Sequence, residues 1–112
     1  MSVRGQSLLW VAQRASAAVL ALCVTVHLAT MIYAIRGGLS AAEILSRTQG
    51  NAAWFAFYSV FVLAVTVHAP IGLRPVLAEW LRWRGASRDI FLVAVAMLLA
   101  ALGMRAVIGV FL

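Results

Sequence analysis

The chain has no lysine, and nine arginines supply all of its positive charge. Acid is almost missing too: Glu43, Glu79 and Asp89 are the only carboxylates, which leaves a formal net charge of +6. A nucleic-acid partner would need a basic face turned to a phosphate backbone, but these arginines are spread along the edges of apolar runs, which excludes that class. The single cysteine, Cys23, lies within the first of those runs. It can form no internal disulfide, and it excludes the Cys-x-x-Cys-His attachment of c-type haem, so any haem would be held non-covalently. Charged residues are only 11% of the 112 residues and hydrophobic ones 65%. That balance is too apolar for a soluble domain of this size and identifies a membrane protein.

Three runs, Ala15 to Ile35, Ala52 to Leu73 and Ile90 to Leu112, each exceed the ~18 to 20 residues needed to cross the hydrocarbon core. The expectation is an all-α integral membrane protein, one domain over residues 1–112, with transmembrane helices at about 15–36, 52–74 and 89–111 in a multi-subunit bundle. These spans leave no room for a soluble domain, so a centre acting on a polar substrate has to come from another subunit. Met1 to Gln13 reads as an interfacial lead-in with Trp10 at headgroup level. It is not read as a signal peptide, because the apolar run after Arg14 outlasts the ~7 to 15 residues of a signal h-region.

Local signals punctuate the spans. Gly37-Gly38 stops the first helix. Ser40-Ala41-Ala42-Glu43 has the form of a capping box and predicts a short surface helix to about Arg47. Gly50-Asn51 caps the second span. That span opens on the aromatic belt Trp54, Phe55, Phe57 and Tyr58 and closes on Trp80 and Trp83, with a kink predicted at Pro70. Ser87 is the expected cap of the third span, and Arg105 near its far end can snorkel to the surface. Arg4, Arg14, Arg74, Arg82, Arg84 and Arg88 gather on one side, against Arg36, Arg47 and Arg105 on the other. This excess places the N-terminus in the cytoplasm and the C-terminus outside.

Both histidines of the chain, His27 and His68, fall inside spans. An ionisable side chain at membrane depth is tied to something and marks a functional site by default. The bland reading is a hydrogen bond to a serine or threonine of a neighbouring helix. The functional reading is a haem, since b-type haem in a helical bundle is commonly gripped by histidines. Gly72 lies one turn beyond His68 on the same face and leaves a slot for a flat macrocycle. Arg74, about 9 Å further along, offers a bidentate fork to a propionate.

The same residues carry a resemblance. His68-x-x-x-Gly72-x-Arg74 followed by Glu79-Trp80 resembles the second-helix motif of the cytochrome b membrane anchor of succinate dehydrogenase and fumarate reductase (complex II). Gln13-Arg14-Ala15-Ser16-Ala17 is similar to that anchor's first-helix His-Arg-x-Ser-Gly signature. The Arg14-to-His68 distance and the three spans agree, so the resemblance covers nearly the whole chain. Gln13 stands where the family has histidine, Ala17 where it has glycine, Pro75 where a histidine often follows the arginine, and Glu79 where aspartate is usual. The resemblance implies haem b as cofactor, quinone as substrate, and quinone contacts from Arg14, Ser16, Gln13 and Trp80, with Arg14 also near a propionate. It implies an iron-sulfur subunit, a flavoprotein subunit and a second membrane anchor chain as partners, in the bacterial inner (cytoplasmic) membrane. Gln13 cannot titrate near neutrality as histidine can, which leaves proton delivery to water or a partner.

Depth bears on how many haems there are. His27 lies thirteen residues beyond Arg14 and His68 six from Arg74, so the two differ in depth by on the order of 10 Å. One iron cannot easily take both. The expectation is that His68 holds a haem near the cytoplasmic side and His27 a second nearer the outside, each with its other ligand from another chain; a single haem at His68 is the alternative. The competing functions are a haem-binding anchor of another quinone-linked dehydrogenase and a non-redox structural subunit or small transporter.

Overall fold

The computed structural model describes residues 2–112; Met1, the first residue of the expected lead-in, lies outside the described residues. Four helices follow in order: α1 (Val3–Arg36), α2 (Ala41–Thr48), α3 (Ala52–Trp80) and α4 (Ala86–Phe111). α1, α3 and α4 are long and apolar enough to cross a membrane, and no strand occurs among the described residues. The chain is an all-helical, multi-pass membrane protein, as its apolar runs require.

Two boundaries differ from expectation. α1 does not begin near Ala15 but at Val3, where the Ser2 hydroxyl accepts the Gly5 N–H. No proline interrupts Val3 to Gln13, so the lead-in simply continues the helix. Its 34 residues span about 51 Å, well beyond a hydrocarbon core of ~30 Å. α3 likewise runs on past Arg74 to Trp80, with Pro70 and Pro75 both inside it. Each proline removes the hydrogen bond its N–H would make four residues back, to Thr66 and Ile71 respectively. The helix nonetheless stays continuous through both.

The caps explain the turns. Leu39 N–H reaches Ala34 O and Gly38 N–H reaches Ile35 O, with Gly38 at φ +64°, which is a Schellman stop. The Ser40 hydroxyl accepts the Glu43 N–H, the first bond of a capping box, and donates to the Glu43 carboxylate. Asn51 Oδ1 accepts the N–H groups of Ala53 and Trp54. Ser87 is not the cap of α4: that place falls to Gly85, with no side-chain cap bond. The Ser87 hydroxyl instead accepts Trp83 Nε1–H at 2.9 Å, and the Trp83 ring lies against Phe91.

α3 packs against both α1 and α4. It lies close against α4 at Gly103, where a Cβ would stand 2.6 Å from Val62 Cγ1. The end of α2 is tied to the end of α4: Thr48 Oγ1 donates to Val110 O at 2.9 Å, Gly50 N–H to Phe111 O and Gln49 Nε2 to Leu112 O. Carbonyls left unpaired at a helix C-terminus thus find partners in the connecting loop. Little else is buried. α1 buries only Ser16 and Cys23, while Leu22, Leu28 and Ile32 on it and Val93, Met97 and Leu98 on α4 stay exposed. Such surfaces face lipid or other membrane chains, and where helices meet, van der Waals packing and hydrogen bonds hold them.

Candidate functional site

His68 lies on α3, half-buried, with Nδ1 shut away from solvent and without a hydrogen-bond partner. One turn further, Gly72 meets α1: Gln13 Nε2 stands 3.2 Å from where a Gly72 Cβ would be. The slot expected beside the imidazole is therefore filled from α1 by the Gln13 amide, whose Oε1 is also buried and unpaired. Ser16 is buried on the same side of α1, its hydroxyl donating to Gln13 O at 3.1 Å.

Arg74 is separated from His68 by six residues, which turns it about 120° around the helix. Its Nε lies 3.8 Å from Asp89 Oδ1 of α4, and Asp89 also takes Arg88 at 3.2 Å. At this exposure the pair is worth no more than about 1 kcal/mol. Arg74 opens, with Leu9, Thr66, Pro70 and Leu92, on a groove of about 420 Å³ between the helices. His68 with Gly72 and Arg74 with Asp89 thus occupy different faces of α3. Asp89 as the arginine's neighbour is not legible in the sequence, because only the fold of the short link brings α4's first turn beside it.

The four residues implied for quinone separate in the same way. Gln13 and Ser16 turn together toward α3. Arg14 is exposed, its guanidinium 5.4 Å from the Trp10 ring centre. Trp80 ends α3 and is 81% exposed. All four lie toward the end of the bundle that carries the α1 N-terminus.

His27 belongs to the other half. Its ring is edge-on to Tyr58 and Phe61, and the Tyr58 hydroxyl lies 3.4 Å from Nδ1. It borders two cavities, one of about 210 Å³ with Thr30, Arg47 and Trp54, and one of about 540 Å³ with Phe61, Val65, Leu102 and Gly103. Tyr58 reads in the sequence only as a belt aromatic; the hairpin through α2 brings it to His27. Because His27 meets α3 at Tyr58 and Phe61, seven to ten residues before His68, the histidines stand roughly 10 to 15 Å apart along the helix.

No three His, Cys, Asp or Glu side chains cluster among the described residues. A bare ion would lack donors here, whereas a tetrapyrrole brings four nitrogens and needs only axial side chains. An imidazole in an apolar site fits that role through Nε2, and His68 is such an imidazole.

The model of the succinate dehydrogenase/fumarate reductase transmembrane subunit family matches residues 1–105. No curated protein and no solved structure gives a significant match. The chain belongs to the succinate dehydrogenase/fumarate reductase transmembrane subunit family, and as such is a membrane component of a complex whose soluble partners carry the dicarboxylate chemistry.

Proposed function

We propose that this chain is the haem b-binding anchor of a succinate:quinone oxidoreductase in the bacterial inner membrane, passing electrons between an iron-sulfur subunit and membrane quinone. The observation that carries the reading is His68, an imidazole inside a membrane helix whose buried Nδ1 has no protein partner. An unpaired polar atom in that setting costs about 1 to 3 kcal/mol, so a histidine kept there against that cost points to a use for the imidazole, and iron binding through Nε2 is such a use. When bound, the haem supplies a one-electron carrier between the iron-sulfur clusters and quinone.

This chain's residues hold and orient. His68 would hold a haem on the cytoplasmic side, and His27 a second one toward the outside. A second membrane anchor chain provides the opposing ligands, consistent with the apolar faces α1 and α4 leave uncovered. Arg74 neutralises a propionate, loosening its weak pair with Asp89. Gln13 and Ser16 line the polar patch nearest His68, and Arg14 and Trp80 mark the surface where quinone and the iron-sulfur subunit, with its flavoprotein partner, approach.

The test is to purify the complex carrying His27→Ala or His68→Ala and count haem by the dithionite-reduced minus oxidised spectrum. Each variant should lose one b-type haem independently. A wild-type complex without b-type bands, or a H68A complex that keeps its full haem content, would overturn the proposal.

A further inference from the structure

Where α1 meets α3, each helix carries a buried polar atom without a partner. Gln13 Oε1 can only accept a hydrogen bond, and His68 Nδ1 donates when it carries the proton. The Gln13 amide touches the Gly72 position, and Gly72 and His68 are neighbours one turn apart on one helix face, about 5 to 6 Å between Cβ positions. An orphaned acceptor and an orphaned potential donor on neighbouring turns, not bonded to each other, complement each other through one water. Leaving both unmade would cost the bundle twice.

We propose that Gln13 is the positioning residue of His68: through one bridging water its side-chain carbonyl takes up the Nδ1–H, fixing the tautomer that leaves Nε2 free to bind iron. This rests on His68 being a haem ligand and assigns Gln13 to the imidazole instead of the quinone. The chemistry has a sign. A hydrogen bond from the distal ring N–H raises the basicity of the ligating nitrogen, which favours ferric over ferrous iron and lowers the reduction potential. Ser16 supports the arrangement by holding the Gln13 main-chain carbonyl, so the amide presents its side chain to α3 from a fixed turn.

The experiment is an optical redox titration of the purified complex carrying Gln13→Leu or Gln13→Glu, alongside wild type. Q13L removes the acceptor at similar volume and should raise the reduction equilibrium of the His68 haem about tenfold, which is 59 mV for one electron. Q13E keeps an acceptor oxygen and should titrate at or below the wild-type potential. Should Q13L not assemble, Q13M, which also lacks a side-chain amide and fills a similar space, carries the same requirement. An unmoved potential in Q13L or Q13M, or equal shifts in Q13L and Q13E, overturns this inference while leaving the haem reading intact. Retention of all haem by H68A instead removes the reading beneath it.

Discussion

Gly103 sets how closely α4 can lie on α3, and adding one methyl group there tests the packing. A Cβ at Gly103 would stand 2.6 Å from Val62 Cγ1, 2.9 Å from Cγ2 and 3.3 Å from Cβ. Comfortable carbon contacts begin near 3.5 Å, so relief needs a shift of about 0.9 Å. Rotating Val62 does not supply it, because both of its methyls and the branch carbon crowd the position, and β-branched side chains are stiff at χ1. The helices themselves must separate. Overpacking of this kind costs about 1 to 3 kcal/mol, and the α3–α4 seam is the larger helix contact in the chain. Gly103→Ala should therefore lower the SDS concentration at which this protein leaves the purified complex. Val62→Ala removes the obstructing methyls, so the V62A/G103A double variant should recover most of the loss, with a coupling of about 1 kcal/mol or more. A neutral G103A, or single effects that add without coupling, would refute the geometry.

Two further outcomes follow from other contacts. Asn51→Ala removes the side-chain acceptor for two N–H groups at the start of α3; it should destabilise the α2–α3 corner by about 0.5 to 2 kcal/mol, read as faster amide exchange at Ala53 and Trp54. Tyr58→Phe deletes the hydroxyl beside His27 Nδ1, so under the two-haem proposal it should shift the potential of the His27 haem alone and leave the His68 haem unmoved; equal shifts in both, or none, would show that the hydroxyl has no hold on that ring.

The spans, their number and the all-helical class were legible because they depend on length and apolar content, which the bilayer reads without help from tertiary contacts. The capping box at Ser40, the stop at Gly38 and the cap at Asn51 were equally local, since each is a bond between residues two to five apart. Where local signals misled, a competing partner had won. Ser87 looks like a cap, but its hydroxyl is taken by the Trp83 indole. The apolar run ends at Leu73, yet α3 continues through Pro75 to Trp80 between its two neighbours.

The sequence by itself determined what this protein is made to live in: spans of sufficient length, arginine at their edges, and two imidazoles set within apolar runs. It also set the angle between His68 and Arg74, because spacing on one helix is geometry that no fold alters. Only the tertiary structure decided which helix meets which face. It put the Gln13 amide in the gap at Gly72, paired Arg74 with Asp89, and set Tyr58 against His27. Those contacts join residues far apart in the chain, and their positions depend on the register of antiparallel helices, which a run of interchangeable apolar side chains does not encode.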